Sequence, residues 1–186
     1  MKICVAITGA SGVILGQRLL DNLKEHEVHL VISDAARRVI ALELRKDRHL
    51  AATYKYDNKD IAAPISSSSY LIDAMAVVPC SLKTLAGIAH GYADNLILRA
   101  AENMLRFNRK LVLAPRETPL SLSAIENMKL ARLSGAIILP PIMAYYYAPK
   151  SVDDVTNFFV GKVLDALDVE HQLYQRWAGV AGEHEP

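Results

Sequence analysis

Short apolar runs rich in β-branched residues alternate along this chain with longer segments in which apolar positions recur every three or four residues. Such alternation marks a parallel sheet with helices on both faces. Strands are predicted at Ile3–Ile7, Val28–Ile32, Ala76–Val78, Leu111–Ala114 and Ala136–Leu139. Each is apolar almost without interruption, as strands buried on both sides are, whereas a sheet with one wet face alternates. Helices are predicted at Val13–Lys24, Ala35–Leu44, Ser81–Ala89, Asn95–Asn108, Ser121–Ser134 and Ser151–Leu167. The last has the clearest period, through Val152, Val155, Phe159, Val163 and Ala166. Ser151 stands ahead of it as an N-cap, with Asp153 and Asp154 in the first turn, where negative charge meets the positive end of the helix dipole. Residues 46–69 lack this patterning and read as a polar connection that ends in the run Ser66–Ser69. The expected fold is a single three-layer α/β domain over residues 1–178, with a fraying tail over 179–186.

Composition changes this picture in three ways. A chain of 186 residues, 52% of them apolar and 22% charged, carries more apolar surface than one core needs, so a homo-oligomer is expected. The formal charge is +1 with both signs interspersed, which gives no field to gather nucleic acid or an anionic membrane. Cys4 and Cys80 both sit in apolar runs and form no C-x-x-C pair, so both are expected as buried thiols. Met1–Ile7 is too short and too quickly ended for a signal peptide, and Pro140-Pro141 interrupts the one long uncharged stretch. The expected compartment is the cytoplasm. The scattered histidines show no ligand spacing, and no metal site is expected.

In a parallel sheet of this kind, ligands bind beyond the carboxyl ends of the strands, and three motifs fall there. Gly9-Ala10-Ser11-Gly12 follows the first strand and opens a helix. Small residues allow a tight turn and close approach, and a helix N-terminus presents unpaired N–H groups to an anion; a purely structural turn would read the same way. Pro79-Cys80-Ser81-Leu82-Lys83-Thr84 is a second strand-to-helix junction, with hydroxyls and N–H groups suited to phosphate or a flavin rim, or simply a serine-capped helix. Pro115-Arg116-Glu117 follows the fourth strand. There a guanidinium can fork onto phosphate and a carboxyl can exchange a proton; the plainer alternative is a surface salt bridge. Arg99, Arg106 and Lys162 fall on predicted helices, where each is either a ligand or solvated surface. At least one of Tyr145, Tyr146 and Tyr147 should stand outside the sheet after Pro140-Pro141, and Trp177 reads first as a packing anchor.

With these segments in order, the chain resembles the UbiX-type flavin prenyltransferases from about Met1 to Trp177. The likeness is carried by ITGASG (7–12), ISDAA (32–36) with Glu43 downstream, VVPCSLKTLAGIAHG (77–91), DNLILRAAE (94–102), LVLAPRETPL (111–120) and PPIMAYYYAPKSVDD (140–154). The resemblance implies a Rossmann-like or flavodoxin-like subunit in a dodecamer with active sites at subunit contacts. It implies a metal-independent joining of a dimethylallyl group to reduced FMN, and prenylated FMN as a product for a partner decarboxylase. FMN would lie against Gly9, Ala10, Ser11, Ser33, Ser81, Leu82, Lys83, Thr84 and Arg116. Dimethylallyl phosphate would be held by Arg99, Arg106, Arg116, Tyr146 and Lys162. Glu117 would be the main acid/base, Glu43 an acid assisting ring closure, Ser11 a hydroxyl near the flavin N5 and Trp177 an aromatic wall. Three features depart from the family pattern: Val13-Ile14-Leu15 where an aromatic residue is common, Arg106 where lysine is usual, and Lys162 where some relatives have arginine.

Two other readings compete. A flavin-dependent decarboxylase of cysteine peptides would resemble the chain around Pro79 but calls for a histidine where Ser66–Ser69 stand. An FMN carrier that serves a partner enzyme would need no Glu117 beside a second phosphate pocket.

Overall fold

The computed structural model describes residues 1–44, 50–177 and 179. Six parallel strands, β1 (Lys2–Ile7), β2 (Glu27–Ile32), β3 (Tyr54–Asp57), β4 (Ala74–Cys80), β5 (Lys110–Pro115) and β6 (Ile137–Ile138), form one sheet in the order β3-β2-β1-β4-β5-β6. The helices are α1 (Val13–Asp21), α2 (Asp34–Glu43), α3 (Leu82–Ala89), α4 (Leu96–Arg106), α5 (Leu122–Leu133) and α6 (Val152–Ala166), with a 3₁₀ turn at Pro64–Ser66.

Because side chains of a strand alternate between faces, each central strand feeds two cores. Ile3, Val5 and Ile7 of β1, Ala74, Ala76 and Val78 of β4, and Val112 and Ala114 of β5 pack against α1, α2 and α6. Cys4, Ala6, Met75, Val77, Leu111 and Leu113 face the other way, onto α3, α4 and the 3₁₀ turn. This is the three-layer α/β domain expected, and it explains why β1, β4 and β5 read as unbroken apolar runs. Cys4 and Cys80 are both buried free thiols, and burial pushes each up to about 12.

The sheet adds one strand the patterning did not predict. β3 is a short edge strand of polar and half-exposed residues, paired with β2 from His29↔Tyr54 to Ile32↔Asp57. Its anchor is a ring stack in which buried His29 lies 5.0 Å from Tyr54 and 5.9 Å from Tyr56. Helix α1 is shorter than predicted, since Asn22 caps it after Asp21. Most of the 179–186 tail, and residues 46–49 of the predicted polar connection, lie outside the described residues. Among the described residues, no helix is long and apolar enough to cross a membrane.

Candidate active site

The strand order reverses between β1 and β4, so the loops leaving their carboxyl ends part and open a crevice. One buried side chain ties the two loops together: the Thr8 hydroxyl donates to Pro79 O at 2.8 Å and accepts from Ser81 N–H at 2.7 Å. On the β1 side, a Cβ at Gly9 would stand 2.4 Å from Ala35 Cβ, so only glycine lets the loop pass under α2. Gly12, with φ +91°, turns the chain into α1 through the left-handed region that glycine tolerates. On the β4 side, Ser81 caps α3 by accepting Thr84 N–H at 3.3 Å, and its hydroxyl donates to Thr84 Oγ1. The N–H groups of Leu82 and Lys83, in the first turn of α3, are of the kind that find no partner within a helix. Ser33 is the matching N-cap of α2, accepting Ala36 N–H at 3.1 Å.

Arg116 closes this end of the crevice. It follows β5, its own N–H donates to Cys80 O at 3.2 Å, and its Nε is buried with no hydrogen-bond partner. Together with Ser11, Gly12, Ile14, Ile142 and Phe159 it lines an open, largely apolar depression of about 250 Å³. A buried guanidinium nitrogen without an acceptor, beside glycine-rich and serine-capped helix N-termini, fits a flat, anionic group such as FMN. Glu43, in the last turn of α2, reaches over the same loop, and its carboxylate accepts Gly12 N–H at 2.8 Å and Val13 N–H at 3.2 Å. Glu117 is exposed and takes its hydrogen bond from Thr118 N–H at 3.1 Å rather than from Arg116, so the plain salt bridge considered from sequence is not what forms.

A second group gathers on the flank of α6. Tyr146 stands edge-on to Phe158, at 5.9 Å, and to Trp177, at 5.6 Å, while Lys162 Nζ lies over the rings of Phe158 and Tyr174. Lys162 lines a depression of about 410 Å³ that shares Ile142 and Phe159 with the first. Trp177 is therefore no core anchor: it is 63% exposed. Tyr145, as expected of one of the three tyrosines, points outward.

Arg99 and Arg106 are not brought into either group within one chain. Arg99 is exposed on α4 and donates from Nε to Ser66 O at 3.3 Å. Arg106 ends α4 and pairs with Glu102 at 3.4 Å. The chain then enters β5 at its amino end, and Arg109 donates to Ile72 O just ahead of β4. Arg106 thus lies at the amino edge of the sheet, opposite the crevice. Sequence reasoning passed over Thr8, Ile142 and Phe159, because nothing in their local sequence shows which loops they join.

The fold and crevice define a flavin-binding α/β protein, and comparison with known proteins agrees: the chain belongs to the Flavoprotein family, matched over residues 1–164. Within it, the chain belongs to the UbiX flavin prenyltransferases. It is 50% identical to the flavin prenyltransferase UbiX of Methanocaldococcus jannaschii over 97% of this chain and 100% of that one. It also superposes on AnUbiX (PadA1), solved in complex with FMN and dimethylallyl pyrophosphate, with a TM-score of 0.92, 42% identity and coverage of 96% and 98%. A dodecameric FMN-dependent Ubix-like decarboxylase of Escherichia coli O157:H7 gives a TM-score of 0.92 at 46% identity, covering 96% and 100%.

Proposed function

We propose that this protein joins the dimethylallyl group of dimethylallyl phosphate to N5 and C6 of reduced FMN, giving prenylated FMN for a UbiD-type decarboxylase, as a cytoplasmic homo-oligomer. The observation that carries this reading is the buried, unpartnered Nε of Arg116 in the crevice where the β1, β4 and β5 loops converge. FMN would rest on Gly9, Ala10, Ser11, Ser33, Ser81, Leu82, Lys83, Thr84 and Arg116. When bound, reduced FMN supplies the nucleophilic nitrogen and carbon that the prenyl group joins as phosphate leaves.

The chain's own residues supply charge, protons and an aromatic face. Cations at Arg99, Arg106, Arg116 and Lys162, with the Tyr146 hydroxyl, hold the leaving phosphate, so the reaction needs no metal. Glu117, exposed at the mouth of the crevice, exchanges protons with solvent and substrate. Glu43, held over Gly12, serves ring closure, and Ser11 places its hydroxyl by the reacting nitrogen. Trp177 and Tyr146 offer aromatic faces to a prenyl group that passes through positive character. Since Arg106 sits at the far edge of its own sheet, the full phosphate pocket requires a second copy, in keeping with the dodecamer of the Escherichia coli relative.

No observation favours a cysteine-peptide decarboxylase or a simple carrier. Anaerobic incubation of the protein with reduced FMN and dimethylallyl phosphate, followed by mass spectrometry of the released flavin, tests the reading. A gain of one prenyl unit is expected; unmodified FMN with either the monophosphate or the diphosphate donor overturns it.

A further inference from the structure

After α6 the chain reverses and runs back along the same helix. His171 meets it at the level of Gly161 and Asp165, Tyr174 at Gly161 and Phe158, and Trp177 reaches Tyr146 at the end nearer the crevice. What fastens this strap is concentrated in one carboxylate. Asp165 Oδ1 accepts from His171 Nε2 at 3.0 Å and from Arg176 at 2.6 Å, and Oδ2 accepts from the Tyr174 hydroxyl at 2.6 Å. The tautomer is fixed locally: Leu173 N–H donates to His171 Nδ1 at 3.1 Å, so the ring proton sits on Nε2 and points at Asp165. Gly161 makes the docking possible, because a Cβ there would fall 2.6 Å from the Tyr174 ring and 2.7 Å from His171 Cε1.

We infer that Asp165 is a positioning residue of the prenyl-donor side of the site. Its three hydrogen bonds hold the returning segment along α6 and so set Trp177 edge-on to Tyr146 and the Tyr174 ring under Lys162. The inference rests on the prenyltransferase reading for its catalytic consequence, but the latch itself is a structural claim with its own readouts. Asp165 does not line the crevice of Ser11 and Arg116, so releasing it leaves FMN binding in place. The strap carries Trp177 and also the Tyr174 ring over which Lys162 lies, so the loss falls on the prenyl donor.

Trp177 is the chain's one tryptophan, which makes its fluorescence a direct report on the strap. In the full-length protein, Asp165→Asn is expected to lower Trp177 anisotropy through a fast local component and to speed tryptic cleavage after Arg176 at least tenfold. The same variant should lower kcat/KM for dimethylallyl phosphate at least tenfold while the Kd for FMN stays within twofold. Tyr174→Phe, which keeps the ring and removes one donor, should give a smaller change in the same direction and guards against a folding defect in the first variant. Unchanged anisotropy and cleavage in both variants overturn the latch. A freed strap with unchanged donor kinetics overturns the positioning role. A wild-type protein that leaves FMN unmodified overturns the prenyltransferase reading and the catalytic half of the inference, and the anisotropy and cleavage comparison still decides the latch.

Discussion

Arg116 sits where desolvation and function meet. A guanidinium nitrogen buried without an acceptor is unfavourable in the free protein and becomes favourable once an anion arrives, which supports the proposed role of this side chain in holding FMN or the donor phosphate. Lysine would keep the charge and lose the planar fork. Arg116→Lys is therefore expected to weaken FMN or donor binding about 10- to 100-fold, the equivalent of one charge-assisted hydrogen bond, read by flavin fluorescence titration. Glu117 differs, because its carboxylate bonds to Thr118 N–H and it does not line the depression that Arg116 does. Glu117→Gln should leave FMN binding intact and slow prenyl transfer by roughly 10²- to 10⁴-fold, the usual worth of a general acid/base; an unaffected rate removes Glu117 from the mechanism. Asp165 carries a pH signature. Burial alone would push its carboxyl up, but hydrogen bonds from Arg176, Tyr174 and His171 outweigh that and bring it down from 3.8 to about 2. A carboxyl with a depressed folded-state pKa stabilises above its unfolded value and loses that contribution as pH falls through the folded one. The stability gap between wild type and Asp165→Asn should accordingly hold steady above about pH 4 and close on approach to about pH 2, measured by urea titration across that range.

At the scale of single elements, α6 shows how much a local sequence can specify. Ser151 accepts Asp154 N–H at 3.2 Å, and Asp154 in turn accepts Ser151 N–H at 2.9 Å and Lys150 N–H at 2.8 Å, a reciprocal capping box at the helix start. Ser151→Ala removes one half of it and is expected to cost about 1 kcal/mol, lowering the Tm by about 2–4 °C in thermal unfolding. This cap, the apolar period behind it and the buried runs of β1, β4 and β5 were legible because each is written in neighbouring residues. So were the three loops of the crevice, since small residues and serine caps at strand ends mark a ligand edge. β3 was not legible. Its four residues Tyr-Lys-Tyr-Asp carry no apolar run, and the stack on His29 that secures them joins parts of the chain far apart in sequence. The same holds for Thr8, whose hydroxyl bridges the β1 and β4 loops, and for Asp165, whose three donors all come from the returning segment. Local pattern reports what a residue prefers; it does not report which distant group will be its partner.

The whole molecule presents a mismatch between its surface and a life as a single chain. Helix α5 buries only Ala124 and Ala131, while Leu122 and Leu133 are 74% and 75% exposed, with Leu120, Ile125 and Leu130 also in the open. So large an apolar face on one helix is of the kind another protein surface covers, and the homo-oligomer expected from composition is the cover we propose. The distribution of cations adds a functional reason. Arg106 lies at the amino edge of the sheet and Arg116 at the carboxyl edge, so no motion of side chains alone brings both onto one phosphate within a chain. Assembly and catalysis should then fail together while flavin binding, built from one chain's loops, largely survives. The double variant Leu122→Asp/Leu133→Asp is expected to shift the protein to smaller species in size-exclusion chromatography with light scattering. Under those conditions FMN should still bind, within about tenfold of wild type, and prenyl transfer should fall by at least about 10²-fold, the scale set by removing cationic stabilisation of a leaving group. A dissociated variant that prenylates FMN at the wild-type rate would show that one chain contains the whole phosphate pocket, and would strike Arg106 from it.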